Sequence, residues 1–317
     1  MFIGVSKKEL FKFIVLITIV FFFIRFINDH YVELYQISKI SFNEFCIIFL
    51  LSSLMLIPLG LTFYYSMLIF GFKLHVREWF GLSVVNSFYN MFLPLSSGVL
   101  FRAYYVKKEY GMSYFSYTSL MVVSLLCTFL SSSIISSVFI GYEYFFYGLF
   151  DRYLALLSFL MLFISFVFVF FFVRYNYQIK MPNLRYGLNL KLDLFFSGFY
   201  LMYKQQHIVL YMVLNFIVFS MIMSVKLYFA FYFLGFYVDF SKVIIIQSLS
   251  TFLLIFSITP GNIGVREGVI GFLSLYAGIS FETAVVAATL DRIFNILVVL
   301  LFGALFNSIF MRKNALN

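Results

Sequence analysis

Long runs of apolar residues recur along almost the whole chain, and several of them are long enough for a helix that crosses a lipid bilayer. A hydrocarbon core about 30 Å thick requires about 20 consecutive residues of mostly apolar helix. Hydrophobic residues make up 63% of the 317 positions, whereas charged residues make up only 11%. This balance argues against a soluble protein and predicts an all-α fold, that of a polytopic membrane protein.

Six spanning helices are predicted from these runs, at about 10–27, 44–70, 113–141, 153–173, 207–235 and 282–310. The first run follows a basic segment but has no small-residue cleavage site, so we interpret it as a retained helix rather than a signal peptide. We therefore expect one integral membrane domain over residues 1–317, with a cytoplasmic connection at about 174–204.

Two further apolar regions, at 80–110 and 242–277, are each interrupted by proline and glycine. The second contains the sequence TPGNIGVREGVIG, in which charged residues follow the break. Each limb has about 12 to 17 residues, which gives about 18 to 25 Å of helix and is too short to cross the core comfortably. Each region is therefore predicted to be a re-entrant helical hairpin. The predicted turn residues are Pro94, Gly98, Pro260, Gly261 and Gly264.

The basic residues are distributed unevenly about these segments. If the N-terminus is cytoplasmic and both hairpins are re-entrant, fifteen basic residues lie inside and four lie outside. The positive-inside rule predicts this bias, with both termini in the cytoplasm. The net charge of +9 is thus explained as an orientation signal, and no nucleic-acid partner is expected.

The two interrupted regions belong to a repeated pattern. The proline and the glycine are four residues apart in both regions, and the sequences GMSY and GISF follow at similar distances to open a long final helix. We interpret this pattern as an internal duplication, with repeat A at about 44–141 and repeat B at about 207–310. In the predicted topology the two copies are inverted, an arrangement in which transporters bind substrate near the midplane of the bilayer.

Charged residues within apolar segments mark the predicted ligand-binding site. An isolated ion near the bilayer centre costs about 2.5 to 3.5 kcal/mol, so such residues must pair, face water or bind a ligand. The candidates are Arg266, Glu267, Asp291, Arg292 and Lys226. In one interpretation Glu267 with Arg292, or Arg266 with Asp291, forms an ion pair that fixes the hairpin against the last helix. In the other, Arg266 and Arg292 receive an anionic head group such as a phosphate.

Repeat A contributes Arg102 to the predicted site, with Lys107 and Lys108 at its cytoplasmic mouth. Asn86 and Asn90 precede the first break, and their amides would either satisfy backbone groups freed by the turn or contact a ligand. No His, Cys or carboxylate cluster has metal-ligand spacing, and neither a phosphate-binding loop nor a nucleophile elbow occurs. No metal, cofactor or catalytic residue is therefore predicted.

The segments PGNIGVREG, YAGISFETAVVAATLDRIFNIL and NMFLPLSSGVLFRAYYVKKEYGMS resemble the flippase-like transmembrane domain of lysylphosphatidylglycerol synthase and its stand-alone relatives. The second half matches through its Pro-Gly turn, the Gly-Val-Arg-Glu-Gly motif and Arg292. The first half departs from the family pattern, because Leu95 stands in place of a glycine. Ser124 and Leu125 also stand where the family often has a charged pair.

The resemblance implies a stand-alone protein that translocates or binds an anionic phospholipid or a polyprenyl-phosphate-linked envelope precursor. It also implies the plasma membrane of a bacterium or archaeon, and we do not expect this chain to be an enzyme. Two other function classes stay open: a membrane enzyme of lipid or polyprenyl-phosphate metabolism, and a non-transporting scaffold for glycan assembly. The sequence does not decide whether the chain forms a homo-oligomer or works with lipid or glycan biosynthetic enzymes.

Overall fold

The computed structural model describes residues 35, 39–92, 97–148, 151–178, 195, 198–251 and 260–315, and every regular element within them is a helix. The all-α prediction is therefore confirmed for this part of the chain. The longer helices are α1 (Phe42–Leu54), α2 (Leu56–Ile69), α3 (Val76–Phe92), α4 (Ser97–Tyr110), α5 (Tyr114–Tyr147), α6 (Arg152–Gln178), α7 (Gln206–Phe233), α8 (Phe240–Ser250), α9 (Val265–Ser274) and α10 (Phe281–Ala315).

Four stretches of helix in the described residues are long and apolar enough to cross a membrane: Phe42–Ile69, Tyr114–Tyr147, Gln206–Phe233 and Phe281–Phe310. The first combines α1 and α2, which meet at Met55. A fifth predicted span coincides with α6, which has 27 residues. The span predicted at 10–27 lies outside the described residues. Prediction and structure thus agree on a multi-pass membrane protein.

Both interrupted regions are broken into pairs of short helices. Helices α3 and α4 have 17 and 14 residues, and α8 and α9 have 11 and 10. The helices of each pair contact one another. Gly98 shows how tightly the first pair folds back, since a Cβ atom there would lie 2.0 Å from the backbone oxygen of Asn86. Only glycine permits two backbones to approach so closely.

The helices that follow the two broken pairs begin in the same way. Gly111 and Gly278 have φ angles of 67° and 77°, which reverse the chain before each long helix. Ser113 then accepts a hydrogen bond from the backbone N–H of Ser116, at 3.1 Å. Ser280 accepts the equivalent bond from Thr283, at 3.2 Å. The GMSY and GISF sequences therefore have the same local structure, a reversal at glycine followed by a helix that a serine caps.

Helix α10 links the two broken pairs. It packs against α3 from the first pair and α9 from the second, and also against α1 and α7. The turn at Pro260–Asn262 contacts α3 as well. This packing places the turn before α9 against α3, the first helix of the other broken pair.

Two predicted boundaries require correction. Helix α5 runs to Tyr147 rather than ending near 141, so Glu143 is on the helix, where it is buried. Its carboxylate accepts a hydrogen bond from Ser241 in the first turn of α8. In the predicted connection, α6 continues to Gln178, residues 198–204 are helical, and Phe199 is buried among α2, α5 and α7.

Candidate functional site

The site is built on the turn that precedes α9. Gly261, Asn262 and Gly264 all have positive φ angles, of 60°, 56° and 82°. Asparagine is among the few residues other than glycine that adopt this conformation readily. The turn directs two carbonyl groups toward α10, where Arg292 donates to the oxygens of Gly261 at 2.7 Å and Asn262 at 3.0 Å. The guanidinium thereby holds the turn against α10.

Glu267 completes this first ion pair. One carboxylate oxygen accepts the backbone N–H of Gly264 at 2.8 Å, and the other accepts from Nε of Arg292. The carboxylate lies in the first turn of α9, where the helix dipole favours a negative charge. A single side chain therefore caps α9 and joins it to α10.

The second ion pair centres on Asp291, which has no solvent exposure. Arg266 donates to its Oδ2 atom at 2.7 Å, and Lys226 on α7 lies 3.0 Å from Oδ1. Lys226 also donates to the side-chain oxygen of Asn295, one helical turn after Asp291. Gln247 on α8 accepts from Arg266 at 3.4 Å. Four helices thus contribute to one buried polar cluster.

Counted over the described residues, the cluster carries one excess positive charge, because three cations share two carboxylates. Exposure is unevenly divided among them. The side chains of Arg266 and Arg292 are 15% and 14% exposed, whereas those of Lys226 and Asp291 are fully buried. The accessible side of the cluster is therefore cationic, and its counter-ions lie behind the arginines. Such an arrangement favours an approaching anion.

Both ion pairs that the sequence allowed, Arg266 with Asp291 and Arg292 with Glu267, are formed. The fifth candidate ion, Lys226, joins the cluster through Asp291. Asn295 and Gln247 were not singled out from the sequence. Asn295 could have been identified from the sequence, because it lies four residues after Asp291 and therefore on the same face of the helix. The sequence indicates Gln247 less clearly, since it is a single amide side chain within an apolar run.

Arg102 lies in the other broken pair and has a different environment. Its Nε donates to the Tyr117 hydroxyl at 2.8 Å, and its guanidinium carbon lies 4.3 Å from the centre of the Phe63 ring. No carboxylate among the described residues pairs with it within 4.0 Å. The position aligned with Asp291 is Ser124, whose hydroxyl bonds to Ser66 at 2.8 Å. Arg102 is thus a buried cation beside neutral groups.

The asparagines before the first break have separate roles. The side-chain oxygen of Asn90 accepts the backbone N–H of Gly98 at 2.9 Å, in the first turn of α4. This is the structural interpretation that the sequence offered for Asn90. The side-chain oxygen of Asn86 is buried and has no hydrogen-bond partner within the part of the chain that the structure describes. Of the predicted turn residues, Pro94 lies outside the described residues.

The predicted basic mouth lies at the end of α4, where Lys107 and Lys108 are exposed. Glu78, near the start of α3, accepts hydrogen bonds from Tyr105 at 3.1 Å and Tyr110 at 2.8 Å. Burial and then the bond to Glu78 raise the pKa of the Tyr110 hydroxyl, which stays protonated and donates. These bonds join the outer ends of α3 and α4. No group of His, Cys, Asp or Glu in the described ranges could hold a metal ion.

The breaks of the two pairs meet. A Cβ atom added at Gly261 would lie 3.5 Å from the backbone of Met91, near the end of α3, and 3.9 Å from Arg292. The ion cluster therefore lies beside the first break as well as the second.

The family described as lysylphosphatidylglycerol synthase TM region matches residues 48–303, most of the chain. The chain belongs to this family. The match includes both broken pairs and every residue of the ion cluster, and it places the chain among membrane proteins of lipid synthesis or handling. No curated protein and no solved structure matches the chain.

Proposed function

We propose that this protein binds the anionic head group of a membrane lipid where the two broken helix pairs meet, and carries it between the leaflets. The lipid is a phospholipid or a polyprenyl-phosphate-linked precursor, and it leaves the protein chemically unchanged. The observation that carries the proposal is the excess cation in the ion cluster, with Arg266 and Arg292 on its accessible side. A phosphate oxygen is a natural partner for such guanidinium groups.

Arg102 supplies a second point of contact in this proposal. It has no described carboxylate partner, and a buried cation of this kind is costly unless an anion reaches it. The head group would pass between Arg102 in one broken pair and Arg266 in the other. The acyl or polyprenyl chains would stay in the bilayer throughout.

We also propose that the broken pairs are re-entrant hairpins of two inverted repeats, with both termini in the cytoplasm of a bacterium or archaeon. The short helices and the contact between the two breaks support this topology. Single cysteines would be placed at Lys73 and Lys108 for the first pair, and at Lys242 and Glu282 for the second. The background would be a variant with both native cysteines replaced, Cys46→Ser/Cys127→Ser.

A membrane-impermeant maleimide should then label both ends of a pair from the same side. The first pair should react only from the cytoplasmic side, and the second only from the exterior. If the two ends of either pair react from opposite sides, that pair crosses the membrane and the re-entrant topology is wrong.

Transport is tested with purified protein in liposomes that contain a fluorescently labelled phosphatidylglycerol. Chemical quenching of the outer leaflet reports how much labelled lipid the protein moves. An Arg266→Ala variant should lose about tenfold or more of the wild-type rate, because a charge-assisted hydrogen bond to the head group is lost. Arg152→Ala is the matched control, because Arg152 is exposed at the start of α6.

Labelled phosphatidylcholine serves as the lipid control, since its head group has no net charge. Mass spectrometry of the recovered lipid distinguishes transport from enzymatic turnover. A wild-type rate for Arg266→Ala, or equal rates for the two lipids, would contradict the proposed function. A chemically altered lipid would show that the protein is an enzyme.

A further inference from the structure

Asp291 has more cationic partners than one carboxylate needs. Arg266 contacts Oδ2 at 2.7 Å, and Lys226 lies 3.0 Å from Oδ1, so each cation uses a different oxygen. The contact with Lys226 is an ion pair without the alignment of a hydrogen bond. Glu267, in contrast, pairs with one cation and uses its other oxygen for the backbone of Gly264.

The two arginines of the cluster are held to different extents. Arg292 contacts Glu267 and two backbone carbonyls, so its guanidinium is committed to the turn. Among the described residues, the hydrogen bonds of the Arg266 side chain go to Asp291 and, at 3.4 Å, to Gln247. Arg266 is therefore the cation that can turn toward a ligand with the loss of fewest bonds.

Release of Arg266 has a consequence for Asp291. A carboxylate without solvent exposure is strongly destabilised when its only cation leaves, because neither water nor another charge compensates it. Lys226 removes this difficulty, since its ammonium group is already beside the other oxygen. Asn295 holds Lys226 there and lies 3.5 Å from Oδ2, the oxygen that Arg266 would vacate.

We propose that Lys226 holds the charge of Asp291 while Arg266 binds the lipid anion. This inference rests on the proposed function and makes Lys226 a positioning residue. It differs from the prediction that Lys226 binds the ligand directly, because the Lys226 side chain is fully buried behind Asp291. In the bound state Lys226 pairs with Asp291, Arg292 with Glu267, and Arg266 with the ligand. One anionic charge then leaves the cluster neutral.

The test measures binding of dioctanoyl phosphatidylglycerol to the purified full-length protein in a neutral detergent, with dioctanoyl phosphatidylcholine as the uncharged control. Lys226→Met removes the ammonium and keeps an unbranched side chain. We expect about tenfold weaker binding of the anionic lipid, about 1.4 kcal/mol, because Arg266 is then retained by Asp291. Lys226→Arg keeps the positive charge, so its affinity for the anionic lipid should be closer to that of the wild type than the affinity of Lys226→Met is.

The double variant Lys226→Met/Asp291→Asn separates positioning from a structural role. With Asp291 neutral, Arg266 is free without help from Lys226, so binding should return to within about threefold of wild type. If the role of Lys226 were purely structural, the double variant would bind the lipid no more tightly than Lys226→Met alone. Thermal unfolding of each variant, recorded without lipid, shows whether it is folded.

Asp291→Asn alone keeps the test decisive if Lys226→Met does not fold. It should bind the anionic lipid at least as tightly as wild type, and the double variant should match it. Unchanged binding by Lys226→Met, no recovery in the double variant, or tenfold weaker binding by Asp291→Asn would overturn the role of Lys226. If the wild type does not prefer the anionic lipid, the proposed function fails, and this inference fails with it.

Discussion

Replacement of Arg292 by methionine tests the energetics of the first ion pair. Arg292→Met would remove the cation that pairs with buried Glu267, together with two hydrogen bonds to the turn carbonyls of Gly261 and Asn262. The methionine keeps most of the aliphatic stem, so the change mainly removes charge and hydrogen bonds. We expect the folded protein to be destabilised and the turn before α9 to loosen.

The expected magnitude follows from the burial of the two partners. Removal of one member of a buried ion pair costs about 3–5 kcal/mol, because it leaves an uncompensated charge. The Arg292 side chain is 14% exposed and Glu267 keeps its bond from Gly264, so water and backbone compensate part of this loss. The carbonyls of the exposed turn regain bonds to water. We therefore expect a loss of about 2–3 kcal/mol in the free energy of unfolding.

A double-mutant cycle with Glu267→Gln isolates the pair. Glutamine can still accept the backbone N–H of Gly264 but carries no charge, so Arg292→Met/Glu267→Gln should recover at least about 1 kcal/mol relative to Arg292→Met alone. Unfolding in detergent, followed by the fluorescence of the single tryptophan, gives each free energy. Arg152→Met is the control at an exposed arginine. The reasoning is refuted if Arg292→Met matches this control or if the double variant recovers nothing.

Three further predictions concern the first broken pair. Asn90→Ala should lower stability by about 1 kcal/mol in the same unfolding assay, because the N–H of Gly98 loses its cap; an unchanged value would contradict that role. Gly98→Ala should yield little folded protein on size-exclusion chromatography, since its Cβ would meet the backbone of Asn86. Gly141→Ala should behave as wild type, because an added Cβ there would have no packing partner within 4 Å among the described residues beyond its own stretch of helix. Arg102→Met should raise the melting temperature but lower anionic-lipid transport, because it removes a buried cation that pairs with no carboxylate among the described residues; a lower melting temperature would contradict this.

Much of the fold could be predicted from the sequence because a bilayer imposes simple requirements. A spanning helix needs a long apolar run, and proline with glycine in such a run indicates a break. The sequence also allowed the ion pairs of Arg266 with Asp291 and of Arg292 with Glu267 to be predicted, for a similar reason. Charges at that depth need partners, and few were available.

Other features depend on how helices rotate and pack, which local sequence does not determine. Lys226 reaches Asp291 only because α7 presents that face to α10, and the two residues lie far apart in the chain. The sequence shows that Asn90 and Gly98 are only eight residues apart. Whether the Asn90 amide binds the backbone or a ligand, however, depends on the angle between the two helices of the hairpin. The burial of Glu143 was missed because its partner, Ser241, belongs to another helix.

The charge of Arg102, which no described carboxylate pairs, has a consequence for the response to voltage. An electric potential of 100 mV does about 2.3 kcal/mol of work on one elementary charge moved across the whole membrane. Without a bound anion, Arg102 carries one such charge. The field would therefore act on any movement of α4, the helix that contains Arg102. An anion bound to Arg102 cancels that charge, and the same movement then becomes electrically silent. In the proposed transport cycle, the membrane potential would therefore act on a movement of α4 without an anion at Arg102 more strongly than on the same movement with an anion bound there.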